Sequence, residues 1–405
     1  MLKRMMLAAL FTSGLGGFAH AQGTGAGADA GSGAAEPGPP PAAPAPAPAS
    51  GPAAAPAGDA PAAPATPATA KPPAISGFVD TTYNYNFNRP ASGINGAFSY
   101  DARHNSFALN AAHISLTGEP EPGLSYTIDL DAGTDAVINT SNFNAMGTDT
   151  YRFDVQEAYG VYKHEQFGIR VGKFATFNGI EVIESGSNPT VSRGYLYGLA
   201  EPVTNTGAEV FYQATDKVDV HLGVVNGWDV MADNNRGKTI LAKVGIVPDA
   251  NSLVTISGYA GPEQQANDSD WRETIDVTAL VKVGKIDLNL QGNLGREDKA
   301  VPGTAPGTRA NAVWYGAGVQ PLFHVSDQFT VGGRAEFFKD NDGARTGTAV
   351  QLVNVTVTPG YLLTPHFLLR ADARIDIADN DFFIDNTGAL TKTQVVVLGE
   401  AIASF

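Results

Sequence analysis

The feature that most constrains this chain is a two-residue alternation of apolar and polar side chains that recurs in about sixteen segments, separated by connections that alternate between short and long. In 75–87 the odd positions carry Ile75, Val79, Tyr83, Tyr85 and Phe87, and the even positions Ser76, Asp80, Thr82, Asn84 and Asn86. In 124–132, Leu124, Tyr126, Ile128 and Leu130 oppose Ser125, Thr127, Asp129 and Asp131. In 286–294, Ile286, Leu288, Leu290 and Leu294 oppose Asp287, Asn289, Gln291 and Asn293. The clearest case is 367–377, where Phe367, Leu369, Ala371, Ala373, Ile375 and Ile377 alternate with Leu368, Arg370, Asp372, Arg374 and Asp376. Successive side chains on a strand point to opposite faces, so each segment has one apolar and one polar face.

Alternation alone also suits a soluble sandwich. The connections separate the two readings. Compact ones fall at 119–123, 164–166, 215–217, 249–252, 284, 321–328 and 360–366. Long polar ones fall between them at 88–106, 133–152, 175–206, 227–237, 261–271, 296–310, 339–348 and 378–391. Short turns at one end and long loops at the other are the pattern of outer-membrane barrels, and a sandwich has no cause to keep it through every hairpin. Many segments also approach the 9–11 residues that a tilted strand needs to cross a bilayer. The expected fold is therefore all-β: a transmembrane antiparallel up-and-down barrel of about sixteen strands.

The barrel is expected over 75–405. Ahead of it, 1–21 reads as an export signal: Lys3 and Arg4, an apolar stretch over 5–18, then Ala19-His20-Ala21 as a cleavage pattern. Gly14, Gly16 and Gly17 interrupt that stretch, which argues against a membrane anchor. The segment 22–74 is almost wholly Ala, Pro and Gly and is expected to stay disordered, with Ala-Pro pairs favouring a semi-rigid polyproline spacer. It reads as a tether that contacts the cell wall or as a tail without a partner. The chain has no Cys, so a lipid-anchored cysteine, disulfides and thiolate chemistry are excluded. A net charge of −15 argues against nucleic acid as a partner.

In a barrel, charges within strands must turn to a wet lumen, because Arg or Lys facing lipid costs roughly 2–4 kcal/mol at the midplane. Asp129, Asp131, Asp287, Arg334, Glu336, Arg370, Asp372, Arg374 and Asp376 are the expected lumen wall. They could tune selectivity or pair across strands. Aromatics near strand ends are expected in interfacial girdles: Tyr83, Tyr85, Tyr159, Phe174, Tyr212, Trp228, Tyr259, Trp271, Phe337 and Phe367.

The middle of the chain carries Gly172-Lys173-Phe174, Gly179-Ile180-Glu181, Glu184 and Asn188, then Glu201-Pro202 and Gly207. Val225-Asn226-Gly227-Trp228-Asp229 follows, with Asn234-Asn235 and Lys238. As a set these residues resemble the β-barrel porin-2 (OmpL-like) family of outer-membrane proteins. The resemblance implies an outer-membrane porin among membrane lipids, with a water-filled channel for passive diffusion of small hydrophilic solutes; it carries no particular solute. The acidic total points to a mild cation preference. The other reading is a plugged structural or adhesive barrel whose loops or tether do the work. General-diffusion porins narrow the lumen by folding one long loop inward. The longest loop here, 175–206, is the expected constriction, with Glu181, Glu184 and Arg193 at the opening; the alternative is a loop lying on the rim.

Enzyme readings find little support. The seven His are scattered, with no His-Glu-x-x-His and no pair at metal spacing, so neither a catalytic site nor a metal or other cofactor is expected. Asp340-Asn341-Asp342-Gly343 and Asp379-Asn380-Asp381 echo fragments of calcium loops but complete none, and read as turn-formers. Phe405 ends an amphipathic last segment, 392–405, and is the expected signal to the barrel-assembly machinery. A homotrimer is compatible with sixteen strands, without an interface signature in the sequence.

Overall fold

The computed structural model describes residues 72–141 and 152–405. The expected signal sequence and nearly all of the segment 22–74 lie outside the described residues.

The chain forms β1 (Ala74–Asn86), β2 (Ser106–Glu121), β3 (Leu124–Gly133), a short helix α1 (Thr134–Ser141), β4 (Arg152–His164) and β5 (Phe167–Ala175). Next come β6 (Thr204–Thr215), β7 (Val218–Val225), β8 (Thr239–Ile246), β9 (Ser252–Pro262), β10 (Trp271–Val283) and β11 (Ile286–Pro302). The series ends with β12 (Arg309–His324), β13 (Phe329–Asp340), β14 (Val350–Thr364), β15 (Phe367–Ala378), a two-residue pair β16 (Phe383–Ile384) and β17 (Leu390–Thr391), and β18 (Thr393–Ser404). The pair β16–β17 lies in the last long loop. The other sixteen strands close one antiparallel barrel in sequence order, with β18 pairing β1. Every segment expected from the alternation is a barrel strand. Closure leaves no unpaired edge, which hydrocarbon would penalise at several kcal/mol per orphan backbone group.

The burial pattern is inverted relative to a soluble protein. On β15, Leu369 and Ile375 are exposed outside, whereas Arg374 and Asp376 are 1% and 0% exposed inside. On β1, Ile75 and Val79 face outward and Asp80, Thr82, Asn84 and Asn86 inward. An apolar outer belt with a charged interior is stable only when lipid covers the outside. Outward aromatics pair across strands, as Tyr83–Phe107 (4.7 Å) and Phe167–Tyr212 (4.5 Å) do.

Four of the expected girdle aromatics are instead buried inside: Tyr159, Phe174, Trp228 and Tyr259. For Tyr159 the cause is a β-bulge. Asp129 pairs with Glu157 but Leu130 pairs with Val155, leaving Gln156 over. One extra residue reverses the parity of the strand, so Asp154, Gln156, Glu157 and Tyr159 are all buried inward. The connection expected at 296–310 is also shorter than its composition suggested. β11 and β12 continue past the barrel as an extended hairpin, with Arg272–Glu297 (2.7 Å) and Arg296–Glu273 (2.8 Å) linking β10 to β11 at its base.

Candidate functional site

The loop 176–203, between β5 and β6, lies inside the barrel. Its residues are too polar to bury by hydrophobicity alone, and its fold is held by hydrogen bonds from side chains of β4, β9 to β13, β15 and β18. Near its start, Asn178 Nδ2 reaches Thr274 (3.4 Å) and Ser257 donates to Asn178 (2.7 Å), while Gly179 N–H donates to Asp276 (3.1 Å). Farther on, Arg370 donates to the carbonyls of Asn188 (2.6 Å) and Ser185 (2.8 Å). Asp372 accepts from Val191 N–H (3.0 Å), Ser192 N–H (2.9 Å) and the Ser192 hydroxyl (2.8 Å). Glu336 accepts from Tyr195 N–H (2.6 Å) and Leu196 N–H (3.3 Å). Asp376 accepts from the Tyr195 hydroxyl (2.5 Å) and Asn354 (2.7 Å). Arg374 pairs with Asp376 (2.9 Å) and donates to the Arg193 carbonyl (2.8 Å).

The wall charges of β13–β15 that the alternation picks out thus spend their hydrogen bonds on this loop and on each other. Glycines on the inner face make room for it. The Pro189 carbonyl occupies the place of a side chain at Gly332, and a Cβ at Gly316 would come within 2.6 Å of Leu196. Above this trough a single helical turn, Leu196–Ala200, packs into an apolar cluster with Trp228, Trp314, Phe338, Leu352 and Phe383. That cluster has no parallel in the alternation, because its members come from separate strands and loops.

The candidate residues on the loop play different parts. Glu181 is buried, pairs with Arg334 at 3.0 Å and accepts from Gly194 N–H at 2.7 Å. Arg193 is also buried. It donates to the carbonyls of Val182 (3.0 Å), Val191 (2.9 Å) and Ile183, and lies over Tyr100 (5.2 Å), so it binds the loop to itself. Glu184 is half-buried and points away from the Arg-bearing strands, accepting a hydrogen bond from Gln156 on β4. The loop borders water at the exposed Gly186 and Ser187 beside it.

The wall facing Glu184 is acidic. Asp131 pairs with His113 (2.8 Å) and Asp154 with Lys173 (3.2 Å). Asp129 and Glu157, cross-strand neighbours, have no cation at ion-pair distance among the described residues. Asp287 is separate, near the short-turn end, with His324 (3.1 Å) and Lys282 (3.8 Å). The first long loop, 87–105, turns inward too: Thr82 and Asn110 donate to Asp101 (2.6 and 2.8 Å), and the Tyr100 and Tyr197 hydroxyls lie 3.0 Å apart. Burial pushes the Asp101 carboxyl above the usual aspartate range, and Asp135 in α1 well above it.

The fragments resembling calcium loops are turn-forming. Asp340 is filled by N–H groups of Gly343 (3.0 Å), Ala344 (3.1 Å), Arg345 (2.8 Å) and Thr346 (2.8 Å). Asp379 caps Gln351 N–H (2.9 Å) and pairs with Lys339 (3.0 Å).

The fold is similar to those of solved outer-membrane proteins. The outer membrane channel DcaP of Acinetobacter baumannii is 11% identical, with a TM-score of 0.57, covering 83% of this chain and 98% of that one. An anion-selective porin from Comamonas acidovorans is 11% identical, with a TM-score of 0.56 over 82% of this chain and 99% of that one. The trimer form of OmpT from Vibrio cholerae is 12% identical, with a TM-score of 0.55 over 84% and 100%. Among curated proteins none matches the sequence significantly. The family model described as "Putative beta-barrel porin-2, OmpL-like" matches residues 73–405, from the strand that opens the barrel to the one that closes it, and the chain belongs to that family.

Proposed function

We propose that this protein is an outer-membrane porin in which small hydrophilic solutes diffuse past an inward-folded loop, with cations preferred. The observation that carries this is the charge asymmetry around the loop 176–203. On its β13–β15 side, Arg334, Arg370 and Arg374 are matched by carboxylates. On its β2–β4 side, Asp129, Glu157 and Glu184 have no such partner among the described residues. A water-filled path along an acidic wall raises the local cation concentration and repels anions. The polar inner face, the lipid-facing belt and the family support the channel and its outer-membrane place.

The opposing reading, a plugged barrel, draws on the apolar packing around Leu196–Ala200. Planar-bilayer recording of the folded, heat-modifiable protein separates the two. A channel gives stepwise conductance and a reversal potential toward cations that Glu184→Gln diminishes. Folded protein without steps excludes the porin reading; steps whose reversal potential ignores Glu184→Gln exclude the cation preference.

Four further roles belong to the same proposal. The protein is exported through cleavage of 1–21, and 22–74 then serves as a tether toward the cell wall. Phe405 on the closing strand is what the assembly machinery reads. Barrels associate as homotrimers, as the trimer form of OmpT does; chemical cross-linking in native membranes reads this directly, and a monomer band alone counts against it.

A further inference from the structure

The unmatched carboxylates of the β3–β4 wall have a local geometry beyond a general acidic field. Asp129 and Glu157 are direct cross-strand partners on the inner face, Asp129 by the alternation of β3 and Glu157 beside the bulge at Gln156 on β4. Gln156 itself donates to Glu184, which brings the loop carboxylate beside the pair. Glu157 accepts the Ala175 N–H, and Ser115 hydrogen-bonds Asp129. Independently of the clustering, Asp129 is 5% exposed and its Oδ1 has no hydrogen-bond partner. Neighbouring cations are engaged elsewhere: Lys173 by Asp154 and the Val155 carbonyl (2.7 Å), and His113 by Asp131.

A buried carboxylate oxygen with neither donor nor cation is costly, and like charges beside it add to the cost. A ligand that brings both a positive charge and several N–H donors removes both penalties. A bare divalent ion fits less well. Among the described residues no group of three or more His, Cys, Asp or Glu is placed to hold a metal, and an amide side chain, Gln156, sits among the carboxylates. An ammonium offers three donors and a guanidinium five, enough for carboxylates on separate elements.

We propose that Asp129, Glu157 and Glu184 form a lumen site for the ammonium or guanidinium end of a small organic cation in transit. The proposal rests on the channel reading and names its solute class. Glu184, half-buried at the water-bordering turn of the loop, is the side from which the cation enters. Asp129 Oδ1 is the acceptor it meets farther in.

The test is single-channel recording of the full-length protein in potassium chloride at neutral pH, with putrescine or L-arginine added. Both should interrupt the current in a concentration-dependent way, and glucose and L-glutamate should not. Asp129→Asn and Glu184→Gln, each nearly isosteric, should weaken the block about tenfold, the loss of one charged contact. Heat-modifiable migration of each variant verifies that it folds. In detergent, putrescine should raise the melting temperature of the wild type and not of Asp129→Asn. A conducting channel that neither cation blocks or stabilises overturns the site and leaves the channel standing. A folded protein without conductance whose melting temperature putrescine still raises through Asp129 keeps the site and overturns the channel. Block by calcium ions that both substitutions abolish, with none by the amines, overturns the organic-cation assignment in favour of a metal.

Discussion

The Arg334 guanidinium on β13 donates to Glu181 of the inward loop across 3.0 Å, joining two residues separated by 153 positions in the sequence. The same guanidinium also reaches Thr190 (2.8 Å), the Ser192 hydroxyl (3.0 Å) and Asn354 (2.9 Å), so one side chain fixes both limbs of the loop to the wall.

Replacing that anchor should free the loop without opening the barrel. Arg334→Gln leaves Glu181 and Glu336 without their shared cation, and breaking a buried pair from one side costs about 3–5 kcal/mol. The cost falls on the seat of the loop, because the backbone ladders of β12 to β14 do not depend on the side chain. Single-channel conductance should rise and proteases should cut within 176–203, while heat-modifiable migration persists. Conductance and cleavage like the wild type would show that the loop is held without Arg334.

A steric change should reproduce this with no change of charge. At Gly332 the Pro189 carbonyl already occupies the Cβ position, so Gly332→Val forces the loop away from the wall. The expected result is larger conductance with cation preference retained, read from reversal potentials. If the conductance is unaltered, the loop does not limit the pore.

The loop should also respond to pH through Glu201, next to the start of β6. Its carboxyl is buried, and burial, followed by repulsion from Asp276, holds it well above the usual glutamate range, with Glu181 and Glu336 adding to the effect. Gln291 donates to one oxygen (2.7 Å) and the other has no partner. A raised carboxyl favours the protonated folded form. Its stabilisation is complete below the ordinary value near 4.3 and is lost as pH rises through the raised value. Protease resistance of the loop should therefore fall as pH rises from acid toward neutral, and Glu201→Gln should flatten the profile. An unchanged slope in that variant would assign the effect to other groups.

The barrel seam offers a test of closure. Phe405 N–H donates to the Gly77 carbonyl (3.0 Å) and Gly77 N–H to the Phe405 carbonyl (3.2 Å), with the Phe405 ring over Gly77. Phe405→Ala keeps the backbone bonds and loses the ring's cover, a change of about 1 kcal/mol for an aromatic that is mostly exposed. The temperature at which the folded band converts on a gel should drop by a few degrees. Efficiency of assembly in cells should fall much more if the machinery reads the ring. Equal, small effects in both assays would confine Phe405 to packing.

The fold was legible because its determinants are local. Alternation is a property of neighbouring residues, and Arg370, Asp372, Arg374 and Asp376 share a face by counting alone. The inner-wall positions of Asp129, Asp131, Arg334 and Glu336 follow in the same way. Tyr159 was misplaced because the count assumes an unbroken strand, and the bulge at Gln156 is set by its register against β3. The work done by the wall charges was not legible either. Asp372 sits on the expected face, but its partners Val191 and Ser192 lie 181 and 180 residues away.

By itself, the sequence determined a closed barrel with an apolar outside, a charged inside and alternating loop lengths, since membrane solvation acts on each strand face separately. Only the tertiary structure decided that Glu181 is consumed by Arg334 while Glu184 turns to the acidic wall. Two glutamates three residues apart on one loop look equivalent in a string. Their environments diverge because the two side chains leave the loop in different directions, Glu181 toward the paired arginines and Glu184 toward Gln156 and the wall that carries Asp129 and Glu157.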